Sequence, residues 1–259
     1  MKKINLLLLI FSILSILKSN AQGFYTKIGF RVGFETSQHS TLNNYTQIED
    51  GNYTIESVKL SLGAGAYPEF SIGYMINKNI GFQIAFSRPS GNNISTSQTF
   101  PLLSDYENTL SINGQMDQIT PGIMIITEEG KLKPYAKFGL VIGIGKIAIN
   151  TVRYHIYDLT FYPAYDLNRT NYRIELNGGF AIGVNSGLGV NYSLDDNFNL
   201  FTEFNFISLN YTPTNKYETE ETSPVDGYYF FPNNGPKPNI PESYSFSSIG
   251  GNFGIMYSF

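Results

Sequence analysis

Period-two alternation of apolar residues, connections that run short and long by turns, and a composition rich in Phe and Tyr together predict an all-β fold, an eight-stranded antiparallel up-and-down transmembrane β-barrel. The alternation is plainest at the end of the sequence. There Ile249, Phe253, Ile255, Tyr257 and Phe259 share one face, with small or polar residues between them. The chain holds 20 Phe, 19 Tyr and 25 Gly but no Trp, so Tyr must supply most of any aromatic girdle. The lack of Cys argues against a small disulfide-stapled fold. A net charge of −4 without a basic cluster argues against nucleic acid as a partner.

The first residues read as an export signal. Met1-Lys2-Lys3 is followed by an apolar run to Leu17 and then by Ser19-Asn20-Ala21, small residues at the two positions a signal peptidase reads. Cleavage is expected after Ala21, so that residues 1–21 are a signal peptide and 22–259 the barrel. The run is shorter than the roughly 20 apolar residues that a spanning helix needs.

Each strand then follows from its two faces. In the first, Ile28, Phe30, Val32 and Phe34 alternate with Lys27, Gly29, Arg31 and Gly33. A one-residue slip would place Lys27 and Arg31 in hydrocarbon, at about 2–4 kcal/mol each. The second, residues 59–76, turns Leu60, Leu62, Ala64, Ala66, Phe70, Ile72, Tyr74 and Ile76 outward. Pro68 within it cannot donate to the ladder and predicts a bulge or a pairing defect. A tight turn at 77–79 leads to the third, with Ile80, Phe82, Ile84 and Phe86 outward. This hairpin is the strongest local signal in the chain.

The fourth strand, about 116–127, is ambiguous. Ile123 and Ile125 compete with Met124 and Ile126 for the lipid face, and Pro121 adds an irregularity. The fifth begins near Pro134, with Ala136, Phe138, Leu140, Ile142 and Ile144 outward. The sixth carries Ile182, Val184, Leu188, Val190 and Tyr192 on that face, and the seventh Phe198, Leu200, Thr202, Phe204 and Phe206. The C-terminal segment is the eighth. Short turns at 77–79, 128–133 and 194–197 alternate with long loops at about 36–58, 88–113, 150–173 and 212–245, which places the long loops outside the cell. Val152, Tyr154 and Ile156 keep the alternation, so the connection between the fifth and sixth strands is expected to protrude as a hairpin. A ten-stranded barrel follows if 150–173 adds another membrane pair.

Three segments carry a family likeness: Tyr67-Pro68-Glu69-Phe70-Ser71-Ile72-Gly73-Tyr74, Lys133-Pro134-Tyr135-Ala136-Lys137-Phe138-Gly139 and Gly254-Ile255-Met256-Tyr257-Ser258-Phe259. Through them the chain resembles the outer membrane protein β-barrel domain family, the PorT-like or porin-family small barrels. The resemblance covers residues 22–259. It implies eight strands and insertion into the bacterial outer membrane by the barrel assembly machinery, guided by a terminal aromatic residue. It implies no particular activity.

The candidate site is the lumen. Eight strands enclose an interior just wide enough for side chains to fill. Lys27, Arg31, Glu69, Lys137 and Glu203 point inward and must pair, because an isolated buried charge is costly. Arg31 and Glu69, each about seven residues from the periplasmic end of neighbouring strands, are expected within salt-bridge reach. Inward glycines leave room for long side chains opposite. A polar plug that holds the barrel closed is the favoured reading, and a narrow gated ion path the alternative.

Small barrels that modify lipid A rely on a His and a Ser near the outer leaflet. Here only His39 and His155 qualify, with Ser37, Ser40 and Asp158 nearby, and they read as ordinary loop residues. No catalytic residue, cofactor or metal site is expected. Asp195-Asp196-Asn197 lacks the remaining ligands of a calcium loop and suits a turn. The last loop holds six prolines and the aromatic run Tyr228, Tyr229, Phe230 and Phe231, a patch that packs on neighbouring loops or anchors an extracellular protein or glycan. The expected protein is a monomer in contact with outer-membrane lipid and non-enzymatic, with a structural or surface-interaction role. Narrow channel or transport and secretion accessory is second, and lipid A-modifying enzyme third.

Overall fold

The computed structural model describes residues 23–36, 42–47, 53–58, 61–91, 93–100, 106–127, 129–155, 168–223, 229–231, 237–238 and 243–259. The strands in chain order are β1 (Phe24–Glu35), β2 (Leu42–Gln47), β3 (Tyr53–Val58), β4 (Gly65–Met75), β5 (Ile80–Ser87), β6 (Ile94–Phe100), β7 (Tyr106–Ile126) and β8 (Leu132–His155). They continue as β9 (Asn168–Asn177), β10 (Ala181–Ser193), β11 (Phe198–Tyr211), β12 (Asn215–Ser223), β13 (Tyr229–Phe231), β14 (Lys237–Pro238), β15 (Tyr244–Ser245) and β16 (Ser248–Ser258).

Eight of these strands close a ring. The hydrogen-bonded order is β1–β4–β5–β7–β8–β10–β11–β16, and β16 returns to β1, every pair antiparallel. Closure leaves the barrel no edge, so every strand in the ring has partners on both sides. The barrel thus has eight strands rather than ten. Residues 168–177 pair with the far end of β8, beyond Lys146, and add nothing to the ring.

The faces follow the alternation. Ile28, Phe34, Phe138, Ile144, Leu188, Phe204 and Phe253 are all exposed, while Arg31, Glu69, Lys137 and Glu203 on the alternate positions are buried. A water-soluble β-protein would hide the first set; here it forms a continuous apolar belt. Cross-strand pairs lock the register from the sequence side: Ile28 lies opposite Ile255 and Phe30 opposite Phe253. Aromatic rings gather at the short-turn end. Phe198 packs on Tyr257 and Tyr257 on Phe259, each at 4.9 Å between centroids, and Phe24 on Tyr74 at the same distance. Tyr and Phe make this girdle, as a chain without Trp requires.

Two short turns are closed by side chains. Asn77 Oδ1 accepts hydrogen bonds from the backbone N–H of Asn79 at 2.9 Å and Ile80 at 2.8 Å. Asp195 Oδ1 does the same for Asn197 at 2.8 Å and Phe198 at 2.7 Å. The acidic Asp195-Asp196-Asn197 run therefore serves a hairpin turn.

Of the two irregularities expected at Pro68, the pairing defect is present and the bulge is not: the ladder to β5 stops at Glu69 beside the proline, while β4 keeps one register against β1 from Tyr74 to Gly65. Other expectations are settled or corrected. The fourth strand resolves itself, with Ile123 and Ile125 outward and Met124 and Ile126 buried inside. Leu62 and Ala64, expected on the lipid face, are fully buried. The strand begins only at Gly65, and residues 61–64 fold inward across the barrel mouth, where the Leu62 N–H donates to Ser245 O at 2.8 Å. The apolar side chain of Leu62 finds shelter there at no loss of backbone hydrogen bonding.

The long connections carry strands of their own. β7 and β8 keep a single register from Ile126–Tyr135 out to Asn108–Arg153 and so stand well beyond the belt. β9 pairs with the far part of β8, and β12 with β9. The expected hairpin between the fifth and sixth barrel strands is thus β8 with β9. The β2–β3 hairpin joins this outer sheet through β6, which pairs with β7.

Candidate functional site: the barrel lumen

The lumen is filled in three layers, set by successive inward positions along the strands. β11 shows the order, with Phe201, then Glu203 and Asn205, then Ile207, Leu209 and Tyr211, all buried. β8 repeats it with Tyr135, Lys137 and Val141.

The layer nearest the short turns joins Tyr25, Met124, Ile126, Tyr135, Phe201 and Met256. Glycines opposite make the room. Tyr25 faces Gly73 across the β1–β4 pair, and Tyr135 faces Gly189 across β8–β10. A Cβ at Gly189 would lie 2.5 Å from the Tyr135 ring. Inward glycines and inward tyrosines are therefore one device.

Above it lies the charged layer. Arg31 Nη2 is 2.5 Å from Glu69 Oε2. The pair spans neighbouring strands on the diagonal, since Arg31 is opposite Tyr67 and Glu69 opposite Gly29. Lys137 reaches across the lumen from β8. Its Nζ is ion-paired with Glu203 Oε1 and stands 3.8 Å from Glu69 Oε1. Asn252 Nδ2 donates to Glu69 at 2.9 Å, and the Tyr135 hydroxyl donates to Glu203 at 2.8 Å. Four of the five predicted charges thus form one chain of contacts, Arg31–Glu69–Lys137–Glu203, each almost wholly shielded from solvent.

Lys27 is solved differently. No carboxylate lies within ion-pair distance of it among the described residues. Its ammonium sits 4.3 Å from the Tyr135 ring centroid, 5.1 Å from Phe201 and 5.8 Å from Tyr25, and 3.6 Å from Met124 Sδ. Aromatic faces and a polarizable sulfur take the place of a counter-ion. Reasoning from charge alone missed this cage. The signal was there in part, since Tyr25 is two residues before Lys27 and so shares its face.

The third layer was not foreseen at all. Leu62, Met116, Val141, Ile207, Leu209, Tyr211 and Phe246 pack into an apolar plug at the long-loop end. The plug includes the inward fold at 61–64 and the approach to β16 at 245–247, held by the Phe246 N–H to Leu209 O at 2.8 Å. Polar side chains are not the lumen's only occupants: the charged layer lies between two largely apolar ones. The stack ties together side chains from many strands of the ring, an arrangement suited to holding the barrel rigid.

The other predicted positions contribute less. Tyr228 lies outside the described residues, while Tyr229, Phe230 and Phe231 are β13, paired with Glu220–Thr222 of β12. Ser37, His39, Ser40 and Asp158 lie outside the described residues, as do residues 1–21; His155 is the last residue of β8. Among the described residues no cluster of His, Cys, Asp and Glu could hold a metal.

Comparison with protein-family models and with curated proteins finds no match. Solved structures do match over most of the chain. The outer membrane protein OprG of Pseudomonas aeruginosa is 10% identical, covering 92% of this chain and 96% of its own, with a TM-score of 0.42. Ail, the attachment invasion locus protein of Yersinia pestis, is 10% identical over 92% and 99%, with a TM-score of 0.34. CarO2 of Acinetobacter baumannii is 12% identical over 90% and 98%, with a TM-score of 0.35. The likeness is one of architecture.

Proposed function

We propose that this chain is a non-enzymatic barrel of the bacterial outer membrane whose lumen is sealed and whose work is done by the sheet that stands beyond the bilayer. The observation that carries the reading is the three-layered lumen, in which a cross-barrel ion-pair chain lies between aromatic and aliphatic packing. A conducting pore needs a continuous wet path, and the apolar packing on either side of the charged layer argues against one. The apolar belt supports a membrane setting, because exposed Phe and Ile on every barrel strand have no other favourable surroundings.

In this reading the signal peptide is removed after Ala21, the barrel assembly machinery inserts the chain as a monomer, and the short turns face the periplasm. The finer placement among PorT-like small barrels rests on the three segments of resemblance given above. The outer sheet, including the β12–β13 hairpin that carries Tyr229 to Phe231, is the part offered to an extracellular protein or glycan. The test is electrical. Purified protein reconstituted in planar bilayers should pass no steady current above the bare membrane, and sustained single-channel openings would defeat the sealed-lumen reading.

A further inference from the structure

We propose that the surface of β7, β8 and β9 at the upper edge of the belt, centred on Lys146, binds the phosphate of an outer-leaflet lipid headgroup. This rests on the membrane reading above.

The apolar runs on this side all end in charge. On β8 the outward residues Phe138, Leu140, Ile142 and Ile144 are exposed and apolar, and the next on that face is Lys146. On β7 the run Ile125, Ile123, Ile119 gives way to Asp117, and on β5 Phe82 and Phe86 give way to Arg88. The opposite side differs. There the belt runs up to Phe34 and Phe206 with no cation beside them among the described outward residues. The charge is therefore a property of one sector, not of the rim.

A depression of about 270 Å³ lies in that sector, lined by Asn113, Gln115, Lys146, Arg173 and Glu175 among others. The register places these side chains together on the outward face, with Gln115 opposite Lys146 and Ala148 opposite Glu175. Two of the sector's three cations already have carboxylates. Arg88 Nη2 donates to Asp117 Oδ2 at 2.7 Å, and Arg173 Nη2 to Glu175 Oε1 at 2.7 Å. Lys146 has no ion-pair partner among the described residues, which leaves the sector one positive charge in excess in a chain of net charge −4.

An exposed ammonium that feels Asp117 without forming a contact ion pair, an arginine held in place by its carboxylate and two neutral amides are a donor set suited to phosphate oxygens. Its height selects the source. Lys146 lies one outward position above Ile144, so a phosphate held there leaves acyl chains lying on Ile144, Ile142 and Leu140. A free inorganic phosphate gains nothing from that belt.

Native mass spectrometry of the full chain in detergent micelles tests this, with diphosphorylated lipid A and its fully dephosphorylated counterpart as probes. Lys146→Gln should weaken binding of the phosphorylated lipid by about fivefold. It should leave the dephosphorylated lipid unchanged. Lys131→Gln, at the opposite mouth, should stay within about twofold of the parent, since screening isolates it from the site. Equal binding of the two lipids, or an unchanged Lys146→Gln variant, overturns the proposal. Displacement of the lipid by millimolar inorganic phosphate would make the site one for free phosphate and overturn the lipid assignment. Insertion into vesicles, read by heat-modifiable gel mobility, separates the two levels. Failure to insert overturns the membrane reading and this proposal with it, while normal insertion with unchanged lipid binding overturns this proposal alone.

Discussion

Arg31 and Glu69 are buried so deeply that neither can exchange its partner for water. Losing one member of such a pair strands the other, which typically costs about 3–5 kcal/mol, whereas replacing both by apolar side chains is often neutral. Glu69→Met should therefore lower stability by that amount in urea unfolding from lipid vesicles. The double variant Arg31→Met/Glu69→Met should recover more than half of the loss. Equal losses in both would show that Glu69 acts mainly through Lys137 and Asn252, its other neighbours. The inward direction of these charges was legible, because Lys27 and Arg31 could not face lipid. Their solution was not: Lys27 rests on three aromatic rings contributed by two other strands and its own, and no spacing along one strand announces that.

A strand in this barrel owes its place to its two faces, and its shape beyond the apolar belt to a few glycines. Phe253 faces outward near Phe30, with ring centroids 6.2 Å apart, and Phe253→Arg should cost about 2–4 kcal/mol of stability in vesicles. A smaller cost would mean that this surface does not meet hydrocarbon. β9 and β10 are one chain path along β8, interrupted at Gly178 and Gly179, whose φ angles of 78° and 73° lie in the left-handed region. Three residues, 178–180, stand against two on β8, so the strand bulges and bends as it leaves the barrel. Tyr211 pins the bend, its hydroxyl lying 2.6 Å from Gly145 O and 2.8 Å from Gly178 O with its one proton shared between them. Gly179→Ala should cost about 1 kcal/mol for backbone strain alone, read by the same unfolding assay. Gly251→Ala is the control: a Cβ there meets nothing nearer than 3.8 Å, and stability should hold to within about 0.5 kcal/mol. The sequence pattern predicted a continuation past residue 150 but had no means of showing which neighbour it would join.

For the barrel as a whole, the proposed seal has more than one layer. Phe246 is fully buried in the apolar plug, and Phe246→Ala should cost about 3–5 kcal/mol through the cavity it leaves. It should still pass no steady current in planar bilayers, because the Arg31–Glu69–Lys137–Glu203 chain lies beneath. Current from this variant alone would make the plug the sole seal. The plug is also where prediction from the chain failed. Leu62 continues the period-two pattern of β4, so it read as a lipid-facing residue, yet its segment leaves the sheet and folds over the mouth. By itself the sequence determined the all-β barrel class, most of the outward and inward faces, and the sites of the tight turns, because alternation between an apolar outer face and a packed interior is written residue by residue along each strand; whether the ring held eight strands or ten it left open. Only the tertiary structure decided which inward groups meet, that Lys27 is caged rather than paired, and that apolar layers bracket the charged one. Those contacts join residues far apart in the chain, and it is closure of the ring that brings them within reach of one another.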